Sequence, residues 1–225
     1  MRAKSSSSLE KRWGQMNRTR VLFTILTAIV LALPSIPAAA DGEGVPADPN
    51  IVDPAGDASF LPVVVEGVSE VPEGDILAAW LTNDRETITA HWHVTAPPTY
   101  GSGIQLQLDG VPGNGDPRRC LYFTAVWRLQ DGQPYRPYTA FADLCNNELE
   151  EVWLNGVPRV TTLADGSAIV SAKAPLGFFD KLLKPGTRVN DLRALSAYAH
   201  WIQGRRPVYE IYDQAGPGKI YRVRP

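Results

Sequence analysis

One stretch of the chain decides the fold: residues 75–94 read DILAAWLTNDRETITAHWHV. Two runs rich in β-branched and aromatic residues flank the polar centre Asn83–Glu86, which is the pattern of a β-hairpin. The second run alternates strictly, with Ile88, Ala90, Trp92 and Val94 set against Thr87, Thr89, His91 and His93. Because successive side chains on a strand point to opposite faces, one face is apolar and the other is polar. The hairpin therefore predicts an antiparallel sheet that is buried on one side only.

The first forty residues have the pattern of a secretory signal peptide. Arg18 and Arg20 precede the uncharged apolar run Val21–Leu33, and Ala38–Ala40 follows it. A positive start, a short apolar core and an Ala-x-Ala end predict cleavage after Ala40. A membrane anchor is the alternative, but this run has 13 residues and a spanning helix needs about 20. The sequence thus predicts a protein that is secreted or held in the cell envelope, without stable membrane insertion.

The remaining 185 residues, Asp41–Pro225, have the length of a single domain. We expect a linker rich in Pro, Gly and Asp over residues 41–50 and one domain over residues 51–225. Six of the 22 basic residues and one of the 24 acidic residues lie in the leader, so the exported chain carries 16 basic against 23 acidic residues, a net charge near −7. An acidic exported protein is a poor candidate for binding nucleic acid.

Short strand candidates recur along this domain at the spacing of an all-β sandwich. Besides the hairpin they are Leu61–Val65, Gly103–Asp109, Arg119–Leu129, Arg136–Cys145, Leu149–Leu154, Arg159–Leu163, Ser167–Lys173, Asp191–Ile202, Val208–Tyr212 and Ile220–Val223. Only Pro175–Leu183 has the pattern of a helix. The predicted fold class is all-β: an antiparallel, jelly-roll-like sandwich of two sheets with one short helix.

The two cysteines, Cys120 and Cys145, are predicted to form a disulfide because the chain is exported. If Leu129 pairs with Arg136 across the turn of their hairpin, Cys120 falls directly opposite Cys145, within disulfide reach. Such a bridge would stabilise the fold by roughly 3 kcal/mol. A pair of metal ligands is the alternative, but the spacing matches no zinc signature.

Several short motifs carry a resemblance to a known group of domains. They are Asp53–Asp57 (DPAGD), Asp75-Ile76 at the head of a strand, the Asn83-Asp84 turn into Thr87–Ala90, Ala174–Leu176, and Asp213–Gly218 (DQAGPG). Together they resemble the β-sandwich domains related to family-9 carbohydrate-binding modules and to DOMON domains, over nearly all of Ile51–Tyr221. The resemblance implies an exported, mostly non-catalytic module that binds sugars or, in some DOMON members, haem. A polysaccharide or cell-wall glycan is the partner it implies.

Two sets of side chains are candidate metal ligands. His91 and His93 share one strand face, and with His200 from a neighbouring strand they would form a three-nitrogen zinc site. Asp53, Asp57 and Asp213 come from the segments that carry the resemblance, and their hard oxygen ligands suit a structural Ca²⁺. The alternatives are exposed imidazoles on a polar sheet face and carboxylates that only build turns. Calcium is favoured over zinc.

A third set of side chains is a candidate sugar-binding surface. In the register that pairs Leu129 with Arg136, Tyr122, Phe141 and Asp143 share the polar face of the second hairpin. Exposed rings beside carboxylates are what sugar binding uses. We place Trp80, Trp92, Trp127 and Trp201 in the core. The chain has no Gly-x-Ser-x-Gly and no His-Glu-x-x-His motif, so a binding module is expected rather than an enzyme. A zinc protein or a structural protein of the envelope is the alternative.

Overall fold

The structure, a computed structural model, describes residues 44–58, 72–113, 120–130, 133–143, 152–179, 182–201 and 208–225. All of these residues belong to one compact unit, Ala40–Pro225. They are mostly strands, with two short 3-10 helices, Pro72–Gly74 and Leu176–Phe179. The all-β prediction is confirmed; the strand predicted at Leu61–Val65 lies outside the described residues. None of the helices in these ranges has the length and apolar character needed to cross a membrane.

Fourteen strands are described, and they form two sheets. In chain order they are β1 (Ile51–Val52), β2 (Ile76–Asn83), β3 (Thr87–Val94), β4 (Ile104–Pro112), β5 (Leu121–Val126), β6 (Leu129–Gln130), β7 (Gln133–Pro134), β8 (Tyr138–Ala142), β9 (Val152–Gly156), β10 (Arg159–Thr162), β11 (Ala168–Pro175), β12 (Arg188–Trp201), β13 (Val208–Ala215) and β14 (Tyr221–Arg222). Sheet 1 has the order β1-β2-β3-β11-β10. Sheet 2 has the order β7-β6-β12-β4-β5-β8-β9, and β13 and β14 also pair with β12. Apart from a short parallel pairing of β6 with β12, neighbouring strands are antiparallel.

The hairpin of β2 and β3 forms as its sequence predicts. Burial alternates strictly along β3, with Ile88, Ala90, Trp92 and Val94 buried. The Asp84 carboxylate closes the turn, because it accepts hydrogen bonds from the backbone N–H groups of Glu86 (2.8 Å) and Thr87 (2.7 Å) and from the Thr87 hydroxyl (2.7 Å). Asp84 is thus the local reason that the chain reverses at this point.

The apolar core lies between the two sheets. Trp92 is fully buried, and its indole Nε1–H donates to the backbone carbonyl of Gln107 on β4 (3.0 Å), so one side chain links sheet 1 to sheet 2. Trp127 is also in this core, as predicted. Trp80 is buried on the opposite face of sheet 1, in a small second cluster with Ala78 and Ile169. Trp80 is thus in a core cluster, as predicted, although this cluster is not the one between the two sheets.

The second hairpin differs from its predicted register by one residue. Phe123 pairs with Phe141 and Tyr122 with Ala142 in the ladder of β5 and β8. The prediction assumed a continuous hairpin, but the backbone N–H of Trp127 donates to the Ile104 carbonyl (2.7 Å), and β6 then pairs with β7 and β12. Because the strand breaks there, counting outward from Leu129 and Arg136 gives the wrong partners.

The segment predicted as a helix, Pro175–Leu183, contains one 3-10 turn over Leu176–Phe179, while Pro175 ends β11. This turn places two aromatic rings against the core. The Phe178 ring lies 4.5 Å from the ring of Phe141, and the Phe179 ring lies 5.6 Å from it, measured between ring centroids. Phe141 and Phe179 belong to the apolar core between the sheets, and the partly buried Phe178 packs against it.

Candidate functional site

The outer face of sheet 1, which is the face turned away from the core, carries a regular array of polar side chains. The pairings of β2 with β3, β3 with β11 and β11 with β10 place these side chains in rows across four strands. One row consists of Trp80, His91, Ser171 and Arg159, and the next consists of Thr82, Thr89 and Lys173. The polar face predicted for β3 therefore continues onto the neighbouring strands.

His91 lies at the centre of this array with both ring nitrogens engaged. Its Nε2 lies 2.9 Å from the Thr82 hydroxyl on β2, and its Nδ1 lies 2.9 Å from the Ser171 hydroxyl on β11. The imidazole also stacks on the Trp80 indole, with ring centroids 5.1 Å apart and planes 11° from parallel. His91 thus connects three strands and holds the two hydroxyl groups in place.

The predicted zinc site of His91, His93 and His200 does not form. His200 lies on β12, which belongs to sheet 2, whereas the neighbours of β3 are β2 and β11 in sheet 1. His93 faces the Ser167 hydroxyl at 2.8 Å. Burial lowers the pKa of His93, and the nearby Asp165 offsets only part of that effect. The zinc prediction is wrong because the two histidine-bearing strands lie in different sheets.

A cleft of about 320 Å³ opens over the outer face of sheet 1. Trp80 and His91 belong to its lining, together with Arg159 and Lys173. The lining also supplies five hydroxyl groups, those of Thr82, Thr89, Thr139, Thr161 and Ser171. Among the described residues that line this cleft there is no carboxylate. The cleft is therefore a polar site that contains two basic side chains and an aromatic component.

Part of the stretch predicted as a linker contacts this region. Val45 packs against the small cluster of Trp80 on the outer face, and Gly44 contributes to the lining of the cleft. The Asn50 side-chain oxygen accepts a hydrogen bond from the backbone N–H of Leu81 (3.0 Å). Residues of this stretch consequently lie against sheet 1 beside the array.

A cluster of carboxylates forms a second candidate site. Asp53 follows β1, Asp57 lies in the next turn, and Asp213 lies on β13. One oxygen from each of the three lies within 4.8 Å of the others. The structure therefore brings together the three aspartates proposed as calcium ligands, although 156 positions separate Asp57 from Asp213.

Asp75, just before β2, adds a fourth carboxylate to this cluster. Its Oδ2 accepts hydrogen bonds from the Gly56 backbone N–H (2.9 Å) and from the Thr95 hydroxyl (2.7 Å). Asp213 is fixed in a similar way, since its Oδ2 accepts from the Ile76 backbone N–H (2.7 Å). These bonds hold the carboxylates in position and leave other oxygens available. We call Asp53, Asp57, Asp75 and Asp213 the acidic cluster.

The acidic cluster is electrostatically strained. Burial and the negative charges of Asp213, Asp57 and Asp75 raise the pKa of Asp53 from 3.8 to about 6. Burial also raises the pKa of Asp213, although its hydrogen bonds act in the opposite direction. Two buried oxygens, Asp53 Oδ2 and Asp75 Oδ1, have no hydrogen-bond partner. A buried, unpaired carboxylate oxygen costs free energy, so this arrangement favours a bound cation.

The donor set of the acidic cluster fits Ca²⁺ better than a transition metal. All four side chains offer hard carboxylate oxygens, and Ca²⁺ takes six to eight oxygen ligands in flexible geometry. No histidine or cysteine joins the group found among the described residues. Asp53, Asp57 and Asp213 would hold the ion, and Asp75 would contribute negative charge and its unpaired oxygen.

The residues of the predicted sugar-binding surface, Tyr122, Phe141 and Asp143, do not share one exposed face. Phe141 is only 2% exposed and faces the core, because the true register turns it toward Phe123. Tyr122 lies on the other face, where its hydroxyl donates a long hydrogen bond to Gln107 Oε1 (3.4 Å). The prediction that Phe141 stacks on a ligand is therefore wrong.

The predicted disulfide depends on a residue that the structure does not describe. Cys120 is buried, and the described part of the chain contains no free cysteine. Cys145 lies outside the described residues. The corrected register removes the argument that placed Cys145 directly opposite Cys120, so the pairing stays a prediction.

The fold and these two sites define a class, an all-β sandwich with a polar cleft on one sheet and a carboxylate cluster between chain segments. No family model, no curated protein and no solved structure matches the chain.

Asp75 and most residues that line the cleft, Arg159 and Lys173 among them, are not predicted as site residues from the sequence. Asp75 belongs only to a motif there, and Arg159 and Lys173 only to predicted strands. The alternation of Arg159 with Thr161 and of Ser171 with Lys173 was the available signal. Using it required knowing that β10 and β11 continue the sheet of β3, which is a matter of topology.

Proposed function

We propose that the chain is an exported, non-catalytic binding module that holds carbohydrate or cell-wall glycan in the cleft of sheet 1. The cleft carries the proposal, because it combines an aromatic–imidazole stack with hydroxyl groups and basic groups around about 320 Å³. Small-ligand sites have such volumes and use a few fixed polar groups to orient the ligand. The resemblance to family-9 carbohydrate-binding modules and DOMON domains supports the same class.

The polar groups of the cleft suit the hydroxyls of a sugar. The His91 ring fixes the Thr82 and Ser171 hydroxyls at 2.9 Å each, so their positions are set before a ligand arrives. Groups that are already ordered lose little conformational entropy on binding. The cleft is thus better prepared for a polyhydroxylated ligand than for an apolar one.

A binding survey with a cleft-filling variant tests this proposal. The secreted chain is screened against an array of polysaccharides and cell-wall glycans, together with Thr161→Trp, which fills the cleft. Val160→Trp is the matched control, since Val160 is the exposed neighbour on β10 and does not line the cleft. Binding that is lost in Thr161→Trp and kept in Val160→Trp supports the proposal. No binding to any glycan overturns it and favours a structural protein of the envelope.

A structural Ca²⁺ in the acidic cluster is the second part of the proposal. The unpaired oxygens of Asp53 and Asp75 and the mutual repulsion of the carboxylates support it. Calorimetric titration of metal-free protein with Ca²⁺ tests it, with Asp57→Asn as the ligand variant and Glu86→Gln as the control. Both positions are exposed, so neither change should disturb folding. Equal calcium binding by all three proteins would place the ion elsewhere.

The disulfide of Cys120 with Cys145 also stays part of the proposal. The buried position of Cys120 and the absence of a free cysteine among the described residues support it. Mass spectrometry of peptides from non-reduced protein is the test. A peptide pair joined through the two cysteines is expected, and two alkylated thiols in the untreated protein would contradict it.

A further inference from the structure

The outer face of sheet 2, which is the face turned away from the core, carries polar and aromatic side chains in regular rows. Along β4 and β5, residues that point into the core, such as Leu106, Leu108 and Phe123, alternate with residues that point outward. The ladders of β12, β4, β5 and β8 place one outward row in the order Leu195, Gln107, Thr124 and Ala140. Tyr122 and Tyr138 lie in the neighbouring rows on either side. Thr124 therefore lies near the centre of this face, between two rows that carry tyrosines.

Thr124 has a buried hydroxyl group that the fold does not use. The residue is only 3% exposed, and its Oγ1 has no hydrogen-bond partner in the described part of the chain. A buried polar group without a partner costs free energy, so nearly all such groups in folded proteins are bonded. A hydroxyl that faces outward and is left unbonded by the protein indicates a bonding partner from outside the chain.

The side chains around Thr124 leave a shallow trough on the sheet. Ala140 beside it is small and buried, whereas Gln107, Tyr122 and Tyr138 are larger and half-buried, so they rise above it. The Tyr122 hydroxyl lies 3.4 Å from Gln107 Oε1, which is too long for a strong hydrogen bond. A carboxamide offers both donors and an acceptor, which suits a row of sugar hydroxyls. The trough thus combines an unbonded hydroxyl, an amide and two phenol rings.

Another aromatic ring extends this surface at the Tyr138 end. The guanidinium carbon of Arg128 lies 4.1 Å from the ring centroid of Tyr135 and 5.6 Å from that of Tyr138. Such cation–π contacts hold the rings in place. Tyr135 is nevertheless 42% exposed. An ordered and exposed ring is suited to stacking on the apolar face of a sugar, because little conformational entropy is lost on binding.

We propose that the outer face of sheet 2 is a second saccharide-binding surface. Thr124 and Gln107 bond to sugar hydroxyls, and the tyrosine rings stack on the apolar faces of the sugars. Tyr138 pairs with Val126, four residues along β5 from Tyr122, so the two tyrosine positions lie about 13 Å apart in the strand direction. This span suits an oligosaccharide rather than a single sugar. The inference goes beyond the proposed function, because it uses the other sheet and none of the residues that line the cleft.

A glycan array with the cleft filled separates the two surfaces. The secreted chain and Thr161→Trp are screened side by side, and each glycan that Thr161→Trp still binds is assigned to a site other than the cleft. At least one such glycan is expected. If Thr161→Trp loses all binding, the inference is wrong while the proposed function stands. If it keeps all binding, the cleft is not the site and the inference stands. If neither protein binds any glycan, both proposals are wrong.

Further variants assign the remaining binding to sheet 2. Thr161→Trp is titrated calorimetrically with the soluble hexasaccharide of a glycan that it retains, such as cellohexaose or xylohexaose. Adding Thr124→Val or Gln107→Ala should weaken this binding about fivefold, since each removes a hydrogen bond between neutral groups. Thr162→Val is the matched control, because Thr162 is exposed on β10 and does not line the cleft. Equal affinities for the proteins with Thr124→Val and with Thr162→Val would overturn the inference.

Thermal unfolding without ligand tests the unbonded hydroxyl separately. Thr124→Val keeps the shape of the side chain and removes a group that makes no hydrogen bond, so the unfolding midpoint should stay the same or rise. Thr187→Val is the comparison, because Thr187 is buried and its hydroxyl accepts a hydrogen bond from the Lys184 backbone N–H (3.0 Å). Its midpoint should fall. An equal fall in Thr124→Val would show that the hydroxyl is already bonded within the fold, and the inference would be wrong.

Discussion

The acidic cluster and the cleft of sheet 1 are built in opposite ways. The acidic cluster joins residues that are distant in sequence and brings like charges together, with Asp75 and Asp213 buried, Asp53 half-buried and Asp57 exposed. The cleft is lined mainly by alternate residues on adjacent strands of sheet 1, among them the exposed Arg159 and Lys173, with Thr139 and Gly156 from sheet 2. One site stores electrostatic repulsion inside the fold, and the other presents charge to solvent.

This difference implies a division of roles. Groups that connect distant segments and are buried affect the free energy of unfolding, because their interactions are lost when the chain unfolds. Exposed groups on a regular sheet have small effects on stability and are therefore able to serve binding. We expect changes at the buried members of the acidic cluster to alter stability strongly, and changes at the exposed basic groups of the cleft to alter binding with little effect on stability.

The largest expected effect is the stabilisation of the fold by calcium. An ion that binds only the folded state, present at 100 times its dissociation constant, raises the free energy of unfolding by about 2.7 kcal/mol. We expect urea unfolding in excess Ca²⁺ to require more denaturant than unfolding in EDTA. Mg²⁺ at the same concentration should stabilise less, because it demands closer octahedral geometry. An unchanged midpoint in Ca²⁺ would show that the acidic cluster does not link the ion to folding.

The acidic cluster should make metal-free protein less stable as pH rises, which is the opposite of what a carboxylate with a lowered pKa does. The pKa of Asp53 is raised from 3.8 to about 6 in the folded state, so between these values the folded protein holds a proton that the unfolded chain has lost. The contribution of Asp53 to the free energy of unfolding therefore decreases as pH rises from about 4 to 6 in metal-free protein. Asp53→Asn should remove this slope and stabilise metal-free protein at pH 7. A series of denaturation midpoints for both proteins measures the difference.

The next effect, which is smaller, concerns the residue that organises the cleft. His91→Ala removes contacts with the Thr82 and Ser171 hydroxyls and the stack on Trp80. We expect a loss of roughly 1–2 kcal/mol in the free energy of unfolding, because the hydroxyls at this half-buried face gain water in exchange. Chemical denaturation provides the measurement. A loss above about 4 kcal/mol would show that the outer face belongs to the structural core.

The smallest expected effect lies at the exposed basic groups. Arg159→Ala and Lys173→Ala should change the free energy of unfolding by no more than about 0.5 kcal/mol, since surface substitutions away from buried networks rarely do more. Thermal unfolding of the variants beside the unchanged protein checks this. A large destabilisation by either variant would contradict the inference that the acidic cluster determines stability and the cleft serves binding.

Local alternation predicted much of this fold from the sequence. Both faces of β3 follow from its strict period of two, and the Asp84 turn follows from its polar residues. The register predicted for the second hairpin was wrong because it was counted through Trp127–Arg128. The strand breaks at these residues, and the chain that follows pairs with β12. Such a break depends on pairing with β12, which is more than sixty residues away in the sequence, so no local pattern predicts it.

The site residues were predictable only where short sequence motifs contain them on both of the chain segments that form the site. Asp53 and Asp213 lie in turn motifs, and the structure brings them together with Asp57. His200 has the same alternating pattern as His91, but alternation does not say which sheet a strand joins. Arg159 belongs to the cleft only because β10 adds to the edge of sheet 1. Strand order across the sheets is the information that the sequence lacked.

The way in which the acidic cluster is built has a consequence for how the fold closes. Without a cation, the repulsion among Asp53, Asp75 and Asp213 would oppose closure of the segments that they connect. With calcium bound as proposed, the same carboxylates would draw these segments together. Closure of this part of the fold would then depend on the calcium concentration that the chain meets.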